Sequence, residues 1–423
     1  MNFITKRTKG KIGLFSSAEG SILILIVLLV ALLAFIPIGT KLVEIARKQV
    51  KLQANAYAQA TNMAQSGLTD AEAWFRMQSK QPVSMTASGC AYPDAAFYPR
   101  QSTNTATTDT LDESIGLVKT MKLGDFTNLW GRYEVVRQST NNVTLPSSNY
   151  ARAVHDVSAL RVVGANAGDG VAWYVESVGY VYELKNSAVA YNCSPNILVG
   201  RSRVSTELRR MSLTTYPAAV SIIDRSKGNV GTSCSILGGS NGYGVAYVSG
   251  SGGTWTGVSG YGTFYSTATF NLQSVFGMPS YNLKMIADYS VPDVSQLPPS
   301  YPSTALVFVD GNATFDDTHP LTGGGILIVN GNLTVASTAN AYFSGLVFVQ
   351  GAATINGPAD ISGALMVVGS GASGNYLTVT GTAGAGIVEY DKTRLDSIRQ
   401  NIGQYRMDKS AYHVFSALDN APQ

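Results

Sequence analysis

Four segments of the C-terminal half repeat one short pattern: ALVFVDGNATF from Ala305, GILIVNGNLTV from Gly325, GLVFVQGAATI from Gly345 and GALMVVGSGAS from Gly363. The first three start 20 residues apart. Each reads as an apolar strand, a tight Gly or Asn-Gly corner and a second short strand, a unit too small to bury its own inward residues. Stacking such units about 4.8 Å apart joins those residues into one continuous core, so the repeats predict a short β-solenoid, or parallel β-helix. Of the 43 glycines, 14 precede residue 216 and 29 follow it, which places a domain boundary beside Tyr216 and Pro217.

Within the C-terminal part, residues 221–278 share the Gly, Ser and Tyr texture without a clean period and are expected to supply irregular coils or a cap. Residues 293–301 (DVSQLPPSY) read as a Pro-rich crossover, and residues 391–407 (DKTRLDSIRQNIGQYRM) as a charged helix that closes an open solenoid end. Upstream, residues 133–137, 151–163, 171–182 and 197–208 alternate β-branched or aromatic residues with polar ones, the signature of a four-stranded antiparallel meander.

The N-terminal segment is of another kind. Residues 22–39 (ILILIVLLVALLAFIPIG) are 18 residues without a charge, about 27 Å as a helix, which predicts a membrane helix. A secretory signal would require a small-x-small cleavage site after this run, and Phe35, Ile36, Pro37 and Ile38 form a poor one. Beyond Pro37 the chain continues in good helix formers to Met77, with Leu42, Ile45, Val50, Ala54, Tyr57, Met63, Leu68 and Phe75 near helical spacing. The meander is expected to bury that stripe.

A basic leader (Lys6, Arg7, Lys9, Lys11), a Gly directly before an apolar run, and an amphipathic continuation together resemble a type IV prepilin. The continuation NAYAQATNMAQSGLTDAEAWF from Asn55 is similar to the N-terminal region of PilX-type minor pilins, and the likeness covers about residues 10–80. It implies an α+β fold: a long N-terminal pilin helix packed on an antiparallel β-sheet, followed by the solenoid. The implied organisation is a leader at 1–20, the helix at 21–80, a pilin-like antiparallel β domain at 81–215 and the Gly-rich solenoid with its cap at 216–410.

The same resemblance implies cleavage between Gly20 and Ser21 by a prepilin peptidase, and assembly with other pilins through the N-terminal helix, bent near Pro37. Localisation would be the inner membrane before assembly and an extracellular pilus afterwards. Where major pilins carry a Glu five residues after the cut, this chain carries Leu25. A carboxylate inside a bilayer costs about 2.5 to 3.5 kcal/mol and persists only with a partner, in pilins a neighbouring subunit's amine. Leu25 therefore predicts a position at or near the filament tip, where no earlier subunit needs neutralising and a tip adhesin is a further partner.

The remaining motifs point away from catalysis. Gly369, Gly371 and Gly374 form a GxGxxG, but a strand-like YLTVTG follows where a dinucleotide site needs a helix N-terminus. Asp310, Asp316 and Asp317 lack the alternation of an EF-hand loop and read as a solvated corner, so no metal and no cofactor is expected. His155, His319 and His413 are scattered, without a nucleophile nearby. Residues 318–388 hold one charged side chain, Asp360, and offer phosphates no track, which disfavours nucleic acid. Arg201, Arg203, Arg209 and Arg210 have acidic neighbours such as Glu207. Tyr243, Tyr247, Tyr261 and Tyr265 suit a protein or glycan contact surface as well as base stacking.

Cys90 and Cys193 could pair, or equally be two unpaired small residues, and Cys234 is left over. The net charge of +3 resides in the leader, so the cleaved chain would be neutral. The function expected is that of a non-enzymatic minor pilin that primes filament assembly and displays the solenoid as a contact module. The alternatives are a membrane-anchored solenoid adhesin, a type II secretion pseudopilin and a DNA-uptake minor pilin.

Overall fold

The computed structural model describes residues 18–77, 115–124, 128–136, 154–161, 170–299, 302–381 and 386–415. The chain divides into two compact units, residues 1–59 and 60–423. The first unit holds the N-terminal part of helix α1 (Ala18–Met77). Among the described residues no helix is long and apolar enough to cross a membrane. Of the run at 22–39 only Val27, Leu28 and Leu29 have described side chains, and all three are exposed.

In the second unit, the last turns of α1 seat on an antiparallel sheet. Its strands are β1 (Ile115–Lys122), β2 (Leu129–Val136), β3 (His155–Asp156), β4 (Ala172–Glu183), β5 (Ile197–Arg210) and, from the far end of the chain, β23 (Tyr405–Val414). The order is β1-β2-β4-β5-β23, with β3 on β4. Met63, Ala64, Leu68, Ala71, Trp74 and Phe75 of the helix share one apolar cluster with Tyr133, Val135, Trp173, Val175, Val204, Leu208 and Tyr405 of the sheet. Gly179 allows this approach, because a Cβ there would lie 1.9 Å from the Ala60 carbonyl oxygen. The Tyr133 hydroxyl, half-way along the sheet, donates to the Asp70 carboxylate on the helix.

Between β5 and β23 the chain builds a solenoid. Its strands are β6 (Ala218–Asp224), β7 (Gly228–Val230), β8 (Ser235–Leu237), β9 (Tyr243–Ser249), β10 (Thr254–Trp255), β11 (Val258–Ser259), β12 (Thr263–Tyr265), β13 (Tyr289–Val291), β14 (Leu306–Val309), β15 (Ala313–Phe315), β16 (Thr322–Val329), β17 (Leu333–Val335), β18 (Ala341–Val349), β19 (Ala353–Asn356), β20 (Ala359–Val367), β21 (Leu377–Thr380) and β22 (Gly386–Tyr390). They form two parallel sheets. One, of six strands, runs β10-β7-β21-β19-β17-β15, and the other, of eleven, runs along β22-β20-β18-β16-β14-β13 and continues past β20 through β6, β9 and β12. The 20-residue repeat spacing reappears as ladder register, with Leu306, Ile326 and Leu346 side by side.

The winding order differs from the chain order. The chain starts mid-stack at β6, winds through β9 to β12 at one end, and crosses to the other end at β13. It then winds back until β20 pairs with β6 (Leu365 with Val220) and β21 with β7 (Leu377 with Gly228). Both parts advance along the axis in one direction. The stack is thus a single solenoid whose sequence begins in its middle, inserted between two adjacent antiparallel strands. Residues 405–414 belong to the first sheet.

Alternate residues of the larger sheet face opposite ways. Val307, Val309, Leu327, Val329, Val347, Val349 and Leu365 point into the core between the sheets. Leu306, Phe308, Ile326, Ile328, Leu346 and Phe348 point outward and are covered by α2 (Leu272–Phe276), α3 (Ser280–Ile286) and α4 (Lys392–Asn401) through Val275, Phe276, Leu283, Leu395 and Ile398. Burial on both faces is why these strands are apolar runs. Helix α4, capped by the Asp391 carboxylate accepting from the Arg394 amide, lies on the outer face of β18 and β20 rather than over an end of the stack.

The expected α+β class is therefore corrected. Strand accounts for 45% of the chain and helix for 21%, in several sheets that are mostly parallel, instead of a long apolar helix on one sheet. The physical reason is the insertion, which adds two parallel sheets to the single antiparallel one and returns the chain's final strand to it.

Two expectations follow. Gly325, Gly345 and Gly363 stack in register, and at Gly345 (φ +154°) a Cβ would stand 2.0 Å from the Gly325 carbonyl oxygen. Gly345→Ala should destabilise the chain by about 2 kcal/mol or more, because backbone must shift, whereas Gly371→Ala, at φ +73° with open space around it, should cost about 1 kcal/mol; equal effects in thermal unfolding would refute the stacking constraint. Because Arg210 pairs directly with Tyr405, replacing residues 211–404 by Asn-Gly should close a β-hairpin. The shortened chain should unfold cooperatively with Trp173 buried, and a chain with an exposed indole and no transition would contradict the insertion.

Candidate contact surface

The interior columns of the solenoid carry the geometry of its exposed end. One column runs in register through Val309, Val329, Val349, Val367 and Ile222, all fully buried, and continues through Tyr247 to Tyr265. It changes from aliphatic to tyrosine where coils cease to be covered. β12 pairs only with β9, and no strand lies on its outer side among the described residues.

Aromatic rings pack on one another around this end. Tyr265 meets Tyr247 edge-on at 5.5 Å between centroids, Tyr261 meets Tyr243 edge-on at 5.5 Å, and Tyr243 leans on Phe264 at 5.0 Å. Tyr216 joins Phe264 at 6.2 Å and Phe270 at 5.8 Å. Tyr243 and Tyr247 are half-buried, while Tyr261 and Tyr265 are 61% and 57% exposed. The Tyr261 hydroxyl donates to the Ser240 carbonyl at 2.9 Å, which fixes the ring.

The four tyrosines singled out from the sequence thus come together in pairs. Tyr216, Phe264 and Phe270 were not anticipated with them. The signal that finds the group is the absence of any Asp, Glu, Lys, Arg or His from residue 228 to residue 283.

The opposite electrostatic character appears on the antiparallel sheet, on the face turned away from α1. Arg203 forks onto Glu176 at 3.0 Å, and Arg132 pairs with Glu134 at 2.6 Å. Arg209 bridges Glu207 at 2.9 Å and Asp408 at 2.6 Å, while Arg161 also pairs with Glu207. Arg201 lies 5.9 Å from the Tyr180 ring. Burial, reinforced by Glu176, pushes the Tyr174 hydroxyl up to about 12, and burial pushes Tyr191 far higher. Arg203 and Arg209 of β5 are therefore matched to buried carboxylates.

The other residues named from sequence do not converge. Gly20, Ser21, Leu25 and Pro37 fall within the bounds of α1, and their side chains lie outside the described residues. Cys193 is exposed and Cys234 is buried in the solenoid core, both as free thiols; Cys90 lies outside the described residues. Asp310 is held by Lys284 and Asn330, and Asp316 accepts from Thr318 and His319 within its own turn. No group of His, Cys, Asp or Glu among the described residues could hold a metal ion. Gly369 and Gly371 lead into strand β21.

No family model matches the chain. No curated protein matches it either. A solved structure, that of the competence-associated pilin ComZ from Thermus thermophilus, is a weak neighbour, with 9% identity over 85% of this chain and 96% of that one and a TM-score of 0.17. A score that low is not a shared fold.

The lone charge of residues 318–388 provides a test of the solenoid's electrostatics. Asp360 sits in the ladder beside Tyr342 and Ile387, and burial raises its pKa. The unfolded chain releases that proton more readily, so stability falls as pH rises from the ordinary carboxylate value through the raised one. Asp360→Asn should raise the melting temperature slightly at pH 7 and leave it unchanged at pH 3; a gain of equal size at both pH values would refute the burial argument.

Proposed function

We propose that the chain is a non-catalytic display protein of the type IV pilus class, a minor pilin whose N-terminal segment assembles with other subunits and whose solenoid is the module presented. The observation that carries this reading is the insertion: both ends of residues 211–404 return to neighbouring strands, β5 and β23, of one sheet. A module held at two adjacent points is fixed in orientation by the sheet, which suits presentation. Its sequence is glycine-rich and sparsely charged, and no group of His, Cys, Asp or Glu among the described residues could hold a metal ion.

The assembly half of the reading rests on sequence. The basic leader ending at Gly20, the apolar run at 22–39 and the absence of a glutamate at Leu25 support processing by a prepilin peptidase and a place at or near the filament tip. Before assembly the chain would be held at the inner membrane by that run, and afterwards it would be extracellular, in contact with other pilins or a tip adhesin.

Mass spectrometry of the mature protein from its native host should find Ser21 as the first residue, and Gly20→Val should leave the full-length chain unprocessed. A mature protein that retains Met1 and the basic leader would defeat this reading in favour of an anchored surface protein.

A further inference from the structure

The terminal coil of the solenoid is built unlike the rest of the molecule. On the antiparallel sheet aromatic rings stand beside ions, Arg203 over Phe415 at 4.1 Å and Arg132 over Tyr191 at 4.8 Å. Around β12 the rings stand without ions of their own, in 56 consecutive residues that contain none. The nearest cation is Arg225, 5.7 Å from the Tyr247 ring, with Asp224 beside it and its guanidinium donating to the Gly252 carbonyl.

A stack whose interior merely had to be sealed from water would be served by any polar side chain over Tyr247, where Tyr265 lies. Instead two rings stand more than half exposed, each braced edge-on by a second ring that is itself partly buried. Bracing removes the rotamer freedom that a ligand would otherwise have to freeze. Thr263, between Tyr261 and Tyr265 in sequence, and Ser259 on β11 are exposed, and the outer backbone edge of β12 has no neighbouring strand among the described residues. The surface therefore alternates flat apolar faces with uncharged hydrogen-bonding groups.

We propose that this coil end, with Tyr261 and Tyr265 as stacking rings and Thr263 between them, is a binding platform for an uncharged oligosaccharide. A pyranose presents the complementary pattern, an apolar C–H face rimmed by hydroxyls that donate and accept. Polyanions are disfavoured because phosphate or sulfate groups require cations, and the one arginine beside Tyr247, which donates to the Gly252 carbonyl, supplies no track. The proposal rests on the reading of the solenoid as a presented contact module and names what it contacts. It does not depend on how the N-terminus is processed, so the two fail separately.

The test is titration of the full chain with cellohexaose, chitohexaose and maltohexaose, followed by calorimetry and tyrosine fluorescence. At least one should bind, with an affinity unchanged between about 50 and 500 mM salt, since no ion pairs form. Tyr261→Ala and Tyr265→Ala should each weaken binding about tenfold, the loss of one stacked ring, while Tyr265→Phe keeps most of it. Tyr342→Ala, at an exposed tyrosine elsewhere on the solenoid, should bind as the unaltered chain does, and circular dichroism should show both alanine variants folded. Binding of none of the three sugars would overturn the proposal. So would alanine variants that bind normally, steeply salt-dependent binding of a dodecathymidylate instead, or a concentration-dependent dimer lost in Tyr265→Ala, which would make the coil end a contact between two copies of the chain.

Discussion

The parallel ladder between β20 and β6 is the contact on which the solenoid depends. It joins strands from opposite ends of the inserted region, Leu365 beside Val220 and Val367 beside Ile222, and β21 with β7 repeats the joint in the smaller sheet. Without that seam the region would be two short stacks, each exposing an unpaired edge and an incomplete core. With it, the inward columns run unbroken from Val309 to Tyr247. The seam can form only after nearly the whole insertion has been wound, so it closes late in sequence and carries the long loop-closure entropy of residues so far apart. Starting the chain in the middle of the stack has a compensation: the points where the chain enters and leaves lie near one another, which allows the solenoid to hang between adjacent strands.

That arrangement ties the two sheets together through side chains as well. Arg406, on the strand that follows the solenoid, pairs at 2.7 Å with Asp288, whose other oxygen accepts from the Leu306 amide in the first strand of the 20-residue repeats. Lys409 donates to the Ala287 carbonyl at 2.6 Å. Asp408, fully buried, meets Arg209 of β5. The returning strand is thus the element through which the insertion and the antiparallel sheet share hydrogen bonds, and its charged residues have their partners because it lies at that junction.

Much of this was legible where the sequence repeats in contiguous coils. Leu306, Ile326 and Leu346 announce their pairing by their spacing, and the Gly325, Gly345 and Gly363 column by its recurrence. The coils at 218–265 were not legible as regular ones because β6 and β9 pair with strands at distances of about 145 and 25 residues, so no single period connects them. Residues 405–407 fall inside the charged stretch at 391–407 that reads as a helix, because the residues before them are helical and Tyr405/Met407 inward with Arg406/Asp408 outward is too short an alternation to stand out. The α+β class failed for a related reason: helical periodicity before Met77 is a strong local signal, but the parallel sheets outweigh it. The contact surface was half legible, since Tyr243, Tyr247, Tyr261 and Tyr265 are evident in sequence while their pairing through the β9–β12 register is not.

The two aromatic regions of the molecule show how environment sets what a tyrosine does. On the antiparallel sheet Tyr191 is buried and Tyr174 half-buried among carboxylates and arginines, and burial raises their hydroxyl pKa by suppressing the charged form. They act there as packing groups whose polar ends stay neutral. At the coil end, register with Ile222 places Tyr247 and Tyr265 where the core runs out, so that each ring has one side on apolar neighbours and the other on water. The same side chain that closes a charged network in one sheet therefore terminates a hydrophobic column in the other, and only the second leaves a ring face open to a ligand.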